Sequence, residues 1–179
     1  MTDLSWLFER FEAVADRPAI VWNGATYDYA WLTRAVAEAE RDLEARGIGA
    51  GTVVRLEADF SPRAIATLLA MTGREAIIAP SLRTASQAAK ETTSEIAALE
   101  HELAIAPDET VTGAATGRRA EHPFYGTLRE RGHTGLVLFS SGSSGTPKGA
   151  VHDFGRLLEK FKVRREALRT LNFQIGRAH

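Results

Sequence analysis

The stretch that most constrains this chain is an apolar run that stops abruptly. Leu136-Val137-Leu138-Phe139 reads as a buried strand. It leads directly into Ser140-Ser141-Gly142-Ser143-Ser144-Gly145-Thr146-Pro147-Lys148-Gly149. Glycines let backbone N–H groups approach an anion, and the hydroxyls of Ser140, Ser141, Ser143, Ser144 and Thr146 can donate to phosphate oxygens. Lys148 adds a mobile positive charge, and Pro147 stiffens the approach to it. The segment differs from the Gly-x-x-x-x-Gly-Lys-Ser/Thr loop of nucleoside triphosphatases. Thr146 and Pro147 separate Gly145 from Lys148, and Gly149 stands where a magnesium-binding hydroxyl would be. Ala150-Val151-His152 reads as a second short strand, so the loop is expected to join two strands. The competing reading is a flexible Gly/Ser linker, but linkers seldom sit between a core strand and a Pro-Lys-Gly turn.

Upstream, strand and helix patterns alternate. Residues 3–15 read as an amphipathic helix with Leu4, Leu7, Phe8, Phe11 and Val14 on one side. Residues 20–27 read as a hairpin turning at Asn23-Gly24. Asp28 can cap a helix that Gly47 ends. Thr52–Leu56 reads as a strand, and Ser61-Pro62 opens a helix. Ala76–Ala79 is a further strand, and residues 84–99 read as a helix. Leu103–Ile105 and Thr110–Thr112 are two short strands, residues 113–122 a loop, residues 123–131 a helical turn and residues 153–169 a final helix. This alternation predicts an α/β fold, a mostly parallel sheet flanked by helices.

Composition narrows the function classes. The 179 residues suffice for one domain with a core, at 44% hydrophobic and 25% charged. A net charge of -1 gives no global field for nucleic acid or a membrane surface. Residues 154–179 are locally basic, but without interleaved aromatics they read as a solvated helix face. With no cysteine, disulfides, thiolate metal sites and cysteine nucleophiles are excluded, which fits a reducing cytoplasm. No apolar run approaches the roughly 18 residues of a membrane span, and no secretory leader pattern opens the chain. His101, His122, His133 and His179 lack ligand spacing, so no protein-built metal site is expected. Trp6, Trp22 and Trp31 read as core.

At residues 140–149 the chain resembles the adenylate-forming (AMP-binding) superfamily of acyl- and aryl-CoA ligases, peptide-synthetase adenylation domains and firefly luciferase. Their loop reads Thr/Ser-Ser-Gly-Ser/Thr-Thr-Gly-x-Pro-Lys-Gly, and Ser144 here keeps the hydroxyl of the usual threonine. Ala150-Val151-His152 is similar to the apolar pair and histidine that follow. Arg17–Val21, Thr26–Leu32, Gly47–Val54, Ser61-Pro62 and Ala79-Pro80 continue the likeness upstream, while residues 81–130 carry little of it.

The resemblance implies the amino-terminal part of such an enzyme's large domain. It also implies ATP-dependent activation of a carboxylic acid to an acyl-adenylate, then thioester formation with CoA or a carrier-protein thiol. ATP, Mg²⁺ and CoA are the implied cofactors. Ser140, Ser141, Gly142, Ser143, Ser144, Gly145, Thr146 and Lys148 would grip the outer phosphates. His152 either lines the acyl-substrate side or closes a short strand, the structural role being the stronger of the two. The family's downstream elements have no counterpart in residues 1–179: the Tyr-Gly-x-Thr-Glu segment, the ribose aspartate, and the carboxy-terminal lid domain with its adenylation lysine. The expectation is therefore an incomplete AMP-binding domain that is inactive alone and exposes an apolar sheet edge or face. A non-catalytic phosphate-binding module acting with a separate chain is the alternative. A phosphotransferase using Lys148 is weaker still, for lack of an evident base.

Overall fold

The computed structural model describes residues 2–141 and 147–162. Helix α1 (Ser5–Glu12) leads to a two-stranded antiparallel hairpin, β1 (Pro18–Trp22) and β2 (Ala25–Asp28). The hairpin turns at Asn23 and Gly24, both with positive φ (48° and 80°), the backbone that Asn-Gly adopts most readily. The first helix is shorter than its apolar pattern. Val14, Ala15 and Arg17 donate to the carbonyls three residues back, and the turn ends there because Pro18 disfavours helical backbone at Arg17.

A six-stranded sheet follows, in the order β6-β5-β3-β4-β7-β8. Its strands are β3 (Val53–Glu57), β4 (Ile77–Ser81), β5 (His101–Ile105), β6 (Val111–Ala115), β7 (Gly135–Ser141) and β8 (Pro147–Asp153). The central β5, β3, β4 and β7 run parallel, and the edge strands β6 and β8 pair antiparallel to β5 and β7. The fold is thus α/β with a mixed sheet, parallel at its centre.

Helices α2 (Tyr29–Ala45), α3 (Pro62–Gly73), α4 (Gln87–Ala97) and α5 (Pro123–Arg131) connect these strands. Three begin on the caps their sequences carry. Asp28 accepts from the Trp31 N–H at 2.6 Å, Ser61 from Ala64 at 3.3 Å, and Ser86 from Ala89 at 3.2 Å. The Ser86 cap starts α4 later than the apolar pattern suggests.

Strand alternation divides the core in two. Val54, Leu56, Ile78 and Leu103 face one way and pack with α2 and α3. Val53, Ile77, Ala79 and Val137 face the other way and pack with Leu99 and with Tyr125 and Leu128 of α5. β6 extends to Ala115, three residues into the expected loop, because Gly113, Ala114 and Ala115 pair with β5 despite their weak strand propensity. The expected final helix is short where described: α6 (Phe154–Leu158) passes into a 3₁₀ turn at Glu159–Phe161. Its remainder lies outside the described residues. Several large apolar side chains are exposed, among them Phe60 (81%), Leu82 (60%) and Leu138 (43%). Among the described residues no helix is long and apolar enough to cross a membrane.

Candidate functional site

The β7–β8 hairpin carries the phosphate-loop motif, and its base is held tightly. A Cβ on Gly135 would lie 2.6 Å from Leu128 Cδ1 and 3.0 Å from Ile77 Cγ2, so only glycine lets α5 and β4 close on this strand. Buried Thr134 donates its hydroxyl to the Ala76 carbonyl at 2.7 Å, and the Thr134 N–H donates to Thr2 Oγ1 at 2.9 Å. From this base the two strands pair from Gly135↔Asp153 out to Ser141↔Pro147.

The register decides which predicted residues meet. Ser140 stands directly opposite Lys148, so their side chains share one face of the hairpin at its far end, next to the segment that joins the strands. Both are exposed. Among the described residues no carboxylate pairs with Lys148. Ser141 is the last residue of β7; its side chain, and Gly142, Ser143, Ser144, Gly145 and Thr146, lie outside what the structure describes. His152 is opposite Leu136, about 13 Å along β8 from Lys148 at strand rise. The structure therefore does not bring His152 to the mouth that Ser140 and Lys148 form. Gly149 has its own reason: a Cβ there would lie 3.2 Å from Phe139 Cε1 and 3.6 Å from Ile96 Cγ2. This close packing seats α4 against the hairpin.

The connected end of the hairpin, at Ser141 and Pro147, lies at the carboxyl edge of the parallel strands, where open α/β sheets place ligands. Two clefts flank the end of β4. One, of about 160 Å³, is lined by Leu56, Ala58, Ile65, Leu68, Pro80 and Leu82. The other, of about 190 Å³, includes Arg55, Lys90, Thr93 and Phe139. Its cations are already partnered. Lys90 Nζ sits 2.7 Å from Glu57 Oε1, while Arg55 donates to the Lys90 carbonyl and lies 3.3 Å from Glu102 Oε1. Arg55 is a site that sequence reasoning passes over, although an arginine within Val53-Val54-Arg55-Leu56 is a signal of a buried ionic partner. Lys148 thus differs from Arg55 and Lys90 in offering its charge outward. Among the described residues no group of three or more His, Asp or Glu could hold a metal ion.

Asp153 anchors the other end of β8. It accepts from the Arg156 N–H at 2.9 Å, capping α6, and meets His133 Nδ1 at 2.9 Å and Arg131 at 3.3 Å. Burial pushes its carboxyl up, but the Arg156 N–H, His133 and Arg131 together outweigh burial and hold it below its ordinary 3.8. A folded value below the unfolded one means that the ionised carboxylate stabilises the fold at neutral pH. That contribution is lost as pH falls through the folded value. Asp153→Asn is therefore expected to be less stable than the parent at neutral pH, with the difference closing in acid as the folded carboxyl takes up its proton, below its ordinary 3.8. Urea unfolding over a pH series measures this, and a difference that stays constant into acid contradicts it.

No family model matches this chain, and no curated protein matches it. Solved structures do. The Klebsiella oxytoca NpsA N-terminal subdomain in complex with 3-hydroxyanthranilyl-AMSN aligns with a TM-score of 0.64 at 16% identity, over 84% of this chain and 40% of that one. VinN aligns with a TM-score of 0.63 at 14% identity, over 86% and 44%. NpsA-ThdA, an artificially fused adenylation-PCP di-domain NRPS from Klebsiella oxytoca, aligns with a TM-score of 0.61 at 18% identity, over 81% and 31%. The likeness is one of fold, and this chain spans less than half the length of each.

Proposed function

We propose that this chain, whose fold matches the amino-terminal subdomain of adenylate-forming enzymes, is the phosphate-holding part of a ligase that activates a carboxylic acid with ATP. The observation that carries the reading is the pairing of Ser140 with an outward-facing Lys148 at the mouth of the glycine- and hydroxyl-rich turn.

In the proposed reaction a carboxylate oxygen attacks the α-phosphate of ATP, forming acyl-adenylate and releasing pyrophosphate. An anion must approach a polyanion, so opposing charge has to be in place beforehand. Lys148 supplies one positive charge, and the hydroxyls of Ser140, Ser141, Ser143, Ser144 and Thr146 supply donors to the outer phosphates. Backbone N–H groups at Gly142 and Gly145 add donors where no side chain obstructs them. Magnesium would enter with the triphosphate and offset part of its charge. His152 is not assigned a part in holding phosphate, because of its distance along β8.

A thiol then takes the acyl group. The resemblance implies CoA or a carrier-protein thiol as the acceptor, and the PCP domain of the NpsA-ThdA fusion supports the second. The acid-binding and adenine-binding residues are proposed to come from polypeptide outside these 179 residues, since the similar structures are more than twice as long as the aligned region.

Calorimetric titration of the 179-residue chain with ATP, with and without magnesium, and with pyrophosphate tests this. Weak binding of both, in competition, is expected, without acid-dependent ATP–pyrophosphate exchange. A folded chain that binds neither ligand overturns the phosphate assignment. Exchange at an ordinary enzymatic rate, about 1–1,000 turnovers per second, overturns the assignment of the remaining chemistry to other polypeptide.

A further inference from the structure

The two outer strands of the sheet are defended differently. β8 carries Pro147, Lys148, His152 and Asp153 along its own length, residues that discourage pairing with a further strand. β6 reads Val111-Thr112-Gly113-Ala114-Ala115, with no charge and no proline, and all but Val111 of it is exposed. Its backbone should be an open template for another strand.

The hydrogen-bond phase shows which groups face outward. Ala106 donates to the Thr110 carbonyl at 3.0 Å, and Thr116 donates to the Glu100 carbonyl at 2.9 Å. In an antiparallel ladder this phase turns the backbone groups of Thr112 and Ala114 towards β5. Those of Val111, Gly113 and Ala115 point to the free edge. Arg46, just past the end of α2, reaches that edge. One guanidinium nitrogen donates to the Gly113 carbonyl at 3.3 Å and the other to the Val111 carbonyl at 3.4 Å. Its Nε is held by Asp42 at 2.9 Å, one helical turn back. A planar, tethered fork therefore occupies two of the three outward carbonyls of β6.

We infer that Arg46 is an edge guard, and that the surface it protects is one on which a second copy of this chain would pair. The self-complementarity of the strand identifies this occupant. An antiparallel pair of β6 strands about a two-fold axis through Gly113 sets Val111 opposite Ala115 of the copy, and only outward groups exchange hydrogen bonds. The small side chains at 113–115 put up no steric barrier to that approach. Arg46 competes directly for the Val111 and Gly113 acceptors which that pairing needs.

Arg46→Met keeps the aliphatic stem and removes the donors. Sedimentation equilibrium of the 179-residue chain is expected to show self-association about tenfold stronger than in the parent, equivalent to about 1.4 kcal/mol. The limiting mass should be twice the 19.5 kDa of one chain. Adding Ala115→Pro removes an outward N–H without breaking a bond to β5 and should return association to the parental level. Asp42→Ala leaves the guanidinium in place but untethered, and should give a smaller rise. The inference is overturned if Arg46→Met and Asp42→Ala associate no more than the parent, or if the Ala115→Pro double variant associates as strongly as Arg46→Met alone.

Discussion

Replacing Lys148 with alanine is expected to weaken binding of ATP and of pyrophosphate by about ten- to a hundredfold. The range is that of one charge-assisted contact to phosphate. The reasons lie in the hairpin. Lys148 is exposed, shares a face with Ser140, and has no carboxylate partner among the described residues to compete with a ligand. The loss should be similar for ATP and pyrophosphate and small for AMP, because the contact is to the outer phosphates. It should also shrink as salt rises, since an exposed charge is screened within about 10 Å at 0.1 M. Lys148→Arg should retain much of the affinity. Thermal stability should hardly change, because the side chain is exposed. Unchanged affinity for pyrophosphate in Lys148→Ala contradicts the proposed role.

The second large effect concerns stability. Arg129→Ala is expected to cost about 3 kcal/mol and lower the melting temperature by about 6–12 °C. From α5, Arg129 donates to the Gly51 carbonyl twice, at 3.1 and 2.9 Å, and to the Ala120 carbonyl at 2.6 Å. It also lies 3.5 Å from Glu100 Oε2. Glu100 in turn accepts from the N–H of Val53 at 2.8 Å and of Ala120 at 3.2 Å. Removing the guanidinium leaves the Gly51 and Ala120 carbonyls without that donor and takes a cation away from a mostly buried carboxylate. The same contact explains Gly51, where φ is +72° and a Cβ would lie 2.4 Å from Arg129 Cγ. Because α5 leads into β7, this cluster also sets where the hairpin starts. Arg129→Lys should recover less than half of the loss. A melting temperature within about 2 °C of the parent would remove this cluster from the account.

Local chemistry made much of the fold legible. Asn23-Gly24, the caps Asp28 and Ser61, and the stop at Gly47 each act within a few residues, and the structure uses each as its chemistry suggests. The strand–turn–strand arrangement around the phosphate motif was equally readable, because Leu136–Phe139 and Ala150–His152 are apolar enough to mark themselves. Long-range pairings were not. Nothing near Arg129 announces Gly51, and nothing near Arg46 announces the β6 carbonyls, since the partners are separated by 78 and 65–67 residues. Gly113-Ala114-Ala115 became strand through pairing with β5 rather than through propensity. Of the candidate site, the Ser140–Lys148 rung depends on hairpin register, which only the structure supplies. His152 follows the motif closely in sequence, yet strand geometry carries it away from the Ser140–Lys148 rung.

Backbone amide spectra recorded during titration with pyrophosphate test the central claim most directly. Shift changes are expected to concentrate at residues 140–149, with Arg55, Lys90 and His152 nearly still. Changes centred on the Arg55–Lys90 cleft, or spread without focus while the turn stays silent, would contradict it.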